Sequence, residues 1–274
     1  MKNNSKIPKV TLVGAGPGDE ELITIKGLKA IKNANVLFYD ALVNENLLKK
    51  AKVSTLKIYV GKRFNKHAYS QDTINKMLVE YASKYGKVTR LKGGDSFVFG
   101  RGSEEVNYIE SCGIETEVIP GISSALAVPS NQGIPLTKRS INESFWVITG
   151  TTSSGNISKD LVFGAQSSAT LIILMGLRNL SLIMEEVLPY RPEKTPFAII
   201  QNGTLPNETI IIDTIDNYKN VIEKKFMLYG VLIFIFLLLS IYYTTADFDS
   251  ICATLKKYVK FLYIPILFHH IRSN

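Results

Sequence analysis

Cysteine and histidine are scarce in this chain of 274 residues. Two cysteines, Cys112 and Cys252, make neither a disulfide framework nor a metal pair. The three histidines, His67, His269 and His270, lack any HExxH-like spacing, so no metal is expected. Long basic blocks are missing too. The net charge is +8, yet no run of Lys and Arg exceeds two residues. So dispersed an excess speaks against a nucleic-acid arm and suits a strongly anionic small molecule. The N-terminus, MKNNSKIPKV, has no apolar core of the signal-peptide kind, and a cytoplasmic location is expected. No internal repeat or low-complexity stretch is present.

What is there is alternation. Val10–Val13, Val36–Tyr39, Lys57–Val60, Val88–Leu91 and Glu115–Ile119 read as strands. Between them, helices are expected over Leu22–Asn33, Asn44–Ala51, Gln71–Tyr85 and Gly102–Ser111, with another over Ile122–Val128. Leu22, Ile25, Leu28 and Ile31 form one apolar stripe, and Ser70 is a good N-cap. This order predicts an α/β fold with a mostly parallel sheet, whose ligands sit at the carboxyl ends of the strands. A second unit is expected beyond Arg139–Glu143. Its strands read over Phe145–Thr149, Thr170–Leu174, Phe197–Gln201 and Thr209–Asp213, and its helices over Ser158–Ala165, Asn179–Leu188 and from Ile215.

Several expected strand ends carry glycine and charge. The first is VTLVGAGPGDEE, Val10 to Glu21. A dinucleotide fingerprint would read G-x-G-x-x-G, and Asp40 even falls where a ribose-binding acid belongs. Here the turn is G-x-G-P-G-D instead. Pro17 removes a backbone N–H that a pyrophosphate would use, and Asp19, Glu20 and Glu21 would oppose its charge. S-adenosylmethionine (SAM), cationic and without phosphate, fits better than a nicotinamide cofactor. The second stretch is RLKGGDSFVFGRG, Arg90 to Gly102. Its glycine pair allows backbone to approach a ligand, and Asp95 offers an acceptor. A strand-to-helix turn capped by Asp95 would look the same.

These stretches resemble the tetrapyrrole methylase family. The matching runs are LVGAGPGDEELITIKGLKAI, ANVLFYDALV, YVGKR, RLKGGDSFVFGRGSEE, EVIPGISSALAVPSNQGIPLTKR, VITG, LMGL and QNGT, in order from Val10 to about Asn217. The GGD-x-FVFGRG run is similar to the branch that methylates uroporphyrinogen III, rather than to methylases of later corrin intermediates. The resemblance implies two α/β domains with SAM held in a cleft between them, usually in a homodimer. On that basis residues 1–139 form the first domain, 140–225 the second, and 226–274 an atypical apolar tail. It implies SAM contacts at Pro17, Gly93, Gly94, Asp95, Val98, Ser123, Ser124, Met175 and Gly203. Met175 alone would read as core packing.

The resemblance further implies that Asp40 accepts a proton and Lys62 donates one during two successive methylations of uroporphyrinogen III to precorrin-2, for sirohaem- or cobalamin-type synthesis. Taken singly, Asp40 reads as a helix cap and Lys62 as a surface charge. Uroporphyrinogen III bears eight carboxylates, so Arg63, Lys92, Arg101 and Arg139 are expected to bind them. Nucleic acid is not an expected partner.

Two departures stand out. Ser96 occupies a position where the family usually has Pro. After Asn217 the family's helix and last strand are not recognisable. The chain reads FMLYGVLIFIFLLLSIYY over residues 226–243, with no charge. That run is long enough for a membrane span. It also reads as an apolar element repacked onto the second domain, or as the product of a shifted reading frame, the reading favoured by its falling where the family's last strand is missing. A membrane-tethered, catalytically impaired SAM- or tetrapyrrole-binding protein is the corresponding alternative to an enzyme.

Overall fold

The computed structural model describes residues 7–61 and 69–221. Its first half is the alternation read above: β1 (Lys9–Gly14), α1 (Ile25–Asn33), β2 (Val36–Tyr39), α2 (Glu45–Lys49), β3 (Leu56–Tyr59), α3 (Gln71–Tyr85), β4 (Lys87–Lys92), α4 (Gly102–Ser111), β5 (Glu115–Ile119) and α5 (Ser124–Asn131). The five strands form one sheet in the order β3-β2-β4-β1-β5, with every neighbouring pair parallel. Crossover helices cover both faces, and β1 and β2 bury apolar side chains on both sides, while β4 adds buried Thr89, Arg90 and Lys92. On one face Val10, Leu12, Phe38 and Val88 pack with Ile74, Leu78 and Ala82 of α3 and Ile109 of α4. On the other, Val13, Leu37, Leu91 and Ile119 pack with Ile31 of α1 and Leu47 and Leu48 of α2.

Helix starts follow their caps. Ser70 accepts from the Thr73 N–H and opens α3 as expected. At α1 the expectation is corrected. Asp19 caps a separate 3-10 turn, Glu20–Leu22, and Thr24 accepts from the Gly27 N–H to begin α1 at Ile25. The buried face is therefore Gly27 and Ile31, while Ile25 is 75% exposed and does not join the expected stripe. Likewise Ser123 caps α5, so that helix begins at Ser124 rather than at Ile122.

The second half carries β6 (Phe145–Thr149), α6 (Asp160–Gln166), β7 (Thr170–Leu174), α7 (Leu180–Val187), β8 (Pro196–Gln201) and β9 (Thr209–Thr214). β6 and β7 pair in parallel, with Leu161 and Ala165 of α6 against Ile183 and Val187 of α7. β8 and β9 form a separate antiparallel ribbon. Residues up to Asp216 belong to one compact unit; of the second unit, which starts at Asn217, residues 217–221 are described. The apolar run 226–243 lies outside the described residues. No helix among the described residues is long and apolar enough to cross a membrane.

Candidate functional site

All five parallel strands end at the same edge of the sheet. There β1, β4 and β5 run into the turns Gly14–Asp19, Gly93–Asp95 and Pro120–Gly121. The turns are joined by backbone. The Ala15 N–H donates to the Lys92 carbonyl at 2.8 Å, and Gly16 and Gly94 exchange N–H···O bonds of 3.2 and 2.7 Å. Gly121 is wedged among them: a Cβ built on it would lie 2.2 Å from the Gly94 oxygen and 2.6 Å from the Gly14 Cα. Asp95 fastens the group. Its Oδ1 accepts from the Phe97 N–H at 2.8 Å and its Oδ2 from the Gly121 N–H at 2.9 Å. Asp95 is thus a turn cap and a cross-strand tie at once. Gly94 has φ +65°, and a Cβ there would meet nothing nearer than the Ser124 nitrogen at 3.9 Å. The surface beside Gly94 and the α5 N-terminus is open backbone. Ser123 Oγ is engaged as the helix cap, accepting from the Ala125 N–H at 3.3 Å.

The topology locates a second feature. β2 and β4 are neighbours, but β2 continues to β3 at one edge while β4 continues to β5 at the other. A crevice is expected outside the carboxyl ends at such a divergence. Asp40 stands there, immediately after β2, with its side chain 24% exposed. Its Oδ1 accepts from the Leu42 N–H at 3.2 Å, and its Oδ2 is 3.7 Å from an Nη of Arg90. Beneath it, Arg90 and Lys92 share one face of β4 with Val88, and Glu105 of α4 is fully buried beside them. Lys92 Nζ lies 2.9 Å from Glu105 Oε1. Burial, reinforced by the neighbouring Arg90 charge, holds the Lys92 ammonium below the usual lysine range, with Glu105 opposing the shift.

The acidic turn points elsewhere than the sequence argument assumes. Asp19 Oδ1 accepts from the Glu21 N–H, and Glu20 sits 3.1 Å from Lys50 and 3.2 Å from Asn46 Nδ2 of α2. Asp19 and Glu20 are thus engaged within the protein, and the case against a phosphate there rests on Pro17 and the exposed Glu21. The Asp19 N–H donates to Thr204 Oγ1 at 3.1 Å, and Glu208 accepts from the Thr204 N–H and from Gln132. A polar cavity of about 510 Å³ lies here, bordered by Asp19, Glu20, Asn44, Asn131 and Thr204. Gly203 sits against α5, where a Cβ would meet a Val128 methyl at 2.5 Å.

The other candidates are distributed as follows. Val98 is partly exposed in the loop before α4. Met175, at the end of β7, is 56% exposed with φ 58°, and its carbonyl accepts from Thr151 Oγ1 at 2.8 Å. It is not a core residue. Arg101 has φ 57° and forms a two-pronged pair with Glu104, at 2.9 and 2.6 Å. Arg139 is exposed. Lys92, expected among the carboxylate contacts, is instead 5% exposed and turned inward. Lys62 and Arg63 lie outside the described residues. Sequence reasoning missed Glu105 and the structural role of Arg90. The available signal was two cations, Arg90 and Lys92, two apart on a strand whose neighbours are otherwise apolar.

Comparison with known proteins gives four findings of the same kind. A family model described as Tetrapyrrole (Corrin/Porphyrin) Methylases matches residues 9–218. The chain is 50% identical over 219 residues to a uroporphyrinogen-III C-methyltransferase of Methanocaldococcus jannaschii, covering 79% of this chain and 90% of that protein. It is 42% identical over 226 residues to a siroheme synthase of Actinobacillus pleuropneumoniae, covering 82% of this chain but 46% of that longer protein. Among solved structures, the uroporphyrin-III C-methyltransferase of Thermus thermophilus complexed with S-adenyl homocysteine superposes with a TM-score of 0.66 at 36% identity, covering 76% of this chain and 84% of that one.

Proposed function

The chain belongs to the tetrapyrrole (corrin/porphyrin) methylases, and we propose that it is a SAM-dependent uroporphyrinogen-III C-methyltransferase that makes precorrin-2 by two successive methylations. The product serves sirohaem- or cobalamin-type synthesis. The observation that carries this reading is the likeness, over 79% of this chain and 90% of the relative, to a protein named uroporphyrinogen-III C-methyltransferase.

The residues present fit SAM as the donor. Open backbone beside Gly94, with the α5 N-terminus and Ser124 adjoining, suits a ligand carrying a carboxylate and ribose hydroxyls. Val98 and Met175 present apolar side chains that are not consumed by the core. Pro17 offers no N–H, in keeping with a ligand without phosphates. When bound, SAM supplies an electrophilic methyl group to an electron-rich pyrrole carbon of the tetrapyrrole.

The protein's own work is placement and proton handling. We assign Asp40 as the acceptor of the proton lost by the methylated ring and Lys62 as a donor. Arg63, Arg101 and Arg139 bind substrate carboxylates. Lys92, paired with buried Glu105, contributes charge beneath the crevice rather than a direct contact. Much of the rate enhancement comes from holding the reacting carbon in attack geometry. Met175 and Gly203 belong to the proposed second domain, 140–225, and Gly94 and Pro17 to the first, 1–139; SAM lies between these domains, and the chain works as a homodimer. A cytoplasmic setting agrees with the exposed free thiol of Cys112.

A competition assay tests the assignment. With labelled SAM and an equimolar mixture of uroporphyrinogen III and a later corrin intermediate, label is expected in the first alone. Transfer to the second alone, or calorimetric binding of NAD in place of SAM, would refute it.

A further inference from the structure

The charges under the crevice are not needed by any step above. Glu105 is fully buried, and Arg90 and Lys92 are nearly so. Burying ions costs several kcal/mol each before pairing, and apolar residues of similar size would often be cheaper. The face they occupy is apolar elsewhere, with Val10, Leu12, Val88 and Phe38. The charges are confined to the end of that face that meets the crevice.

Their connections have a direction. Glu105 Oε1 is the hub: it lies 2.9 Å from Lys92 Nζ, 3.0 Å from Gln71 Nε2 and 3.5 Å from Arg90 Nε. Gln71 is itself linked to Asn75, one helical turn on, at 3.0 Å. Arg90 also donates from an Nη to the Leu91 carbonyl at 2.8 Å. One Nη is thus fixed by a hydrogen bond, the Nε is in ion-pair contact with Glu105 without a hydrogen bond, and the other Nη lies 3.7 Å from Asp40 Oδ2. Phe38 and Arg90 stand in register across β2 and β4, so Asp40, two residues beyond Phe38, emerges on the same face as Arg90. The 3.7 Å separation from Asp40 contrasts with the two-pronged contact of Arg101 and Glu104 at 2.6 and 2.9 Å. A contact of that second kind would occupy both carboxylate oxygens. The looser one lies beyond hydrogen-bond distance and leaves lone pairs of Asp40 Oδ2 open to the crevice.

We propose that Arg90 is a positioning residue for the methylation: anchored by the buried Glu105–Lys92–Gln71 cluster, it fixes the direction of the Asp40 carboxylate. The proposal rests on the reading of Asp40 as the proton acceptor, and the test separates the two.

The test is a double-mutant cycle on the full chain, read by single-turnover methyl transfer and SAM calorimetry. Asp40→Asn is expected to slow turnover by about 100-fold or more. Arg90→Gln is expected to slow it by about 10- to 100-fold, the range expected when a reacting group is misdirected. The SAM Kd should stay within about twofold in both, and Arg90→Lys should recover part of the rate. In the Asp40→Asn background, Arg90→Gln should add less than about a twofold loss, because coupled residues are not additive. Where Arg90→Gln does not fold, Glu105→Gln replaces it in the same cycle with the same expectation. If Asp40→Asn keeps full rate, the proton-acceptor reading fails and the proposal falls with it. If Asp40→Asn is slow but the second substitution multiplies the loss in full, Asp40 stands and Arg90 does not act through it.

Discussion

Placing a methyl group on Gly121 would test how the site is built. Gly121→Ala puts a Cβ 2.2 Å from the Gly94 oxygen and 2.6 Å from the Gly14 Cα. Ordinary non-bonded contact is roughly 3.5 Å, so the three turns must part by about 1 Å. The obstructing atoms are backbone and cannot rotate aside, which puts the overpacking cost near the top of its usual range, about 3 kcal/mol. Parting also stretches the 2.9 Å bond from the Gly121 N–H to Asp95, a charge-assisted contact worth about 1.5 kcal/mol or more. Against this, alanine stiffens the unfolded chain and returns about 0.4–1 kcal/mol. A net loss of about 3.5–4 kcal/mol follows. Urea unfolding measures it, and calorimetry should show SAM affinity weakened at least about tenfold, since the displaced turns frame its proposed site. Gly113→Ala is the control: Gly113 has φ +75° but nothing within 4 Å of a Cβ. It should lose only about 1–2 kcal/mol, from backbone strain, and bind SAM normally. Gly121→Ala with wild-type stability and wild-type SAM affinity would refute the picture of three interlocked turns.

Other expectations follow from the same geometry. Met175→Gly relieves a positive φ without opening a core cavity, so the midpoint of unfolding should hold or rise while SAM binding weakens; a marked loss of stability would mean that Met175 packs after all. Ser96 Oγ is buried with no hydrogen-bond partner among the described residues, and Ser96→Ala should stabilise by about 1 kcal/mol in urea. Arg139→Ala should raise KM for the tetrapyrrole more than for SAM, and steady-state kinetics with each varied in turn would show it. At the opposite edge of the sheet, hydrogen bonds from Lys26 and Lys9 hold the Glu117 carboxyl below its ordinary 4.5. The stability this contributes is present above that ordinary value and is lost as pH falls through the lowered one. The gap between the wild type and Glu117→Gln, about 0.5–1 kcal/mol near neutrality, should close in acid unfolding titrations.

The sequence was most informative where structure is local. The bounds of α3, α4, β2, β5, β6 and β7 coincide with their reading from periodicity and punctuation, and Ser70 caps as expected. α1 was misplaced because two caps, Asp19 and Thr24, compete within one turn, and Thr24 sets the start. The glycine turns were visible as strand ends. Their mutual contact was not, because it depends on β1, β4 and β5 being neighbours, a fact held in the strand order rather than in any segment. The same holds for Arg90 and Glu105, which are 15 positions apart in the numbering and meet only because α4 packs on β4. Asp19 and Glu20 look like charges facing a ligand until α2 supplies Lys50 and Asn46. Met175 reads as core only when taken alone, without the resemblance that makes it a SAM contact, and its left-handed backbone has no sequence signature of its own.

The most direct measurement is anaerobic methyl transfer by the purified chain, with uroporphyrinogen III, excess SAM and products followed by mass. A singly methylated species should rise and give way to a doubly methylated product, with none formed by Asp40→Asn on the same time scale. A chain that binds SAM yet adds no methyl group, or that stops after one, would contradict the assignment.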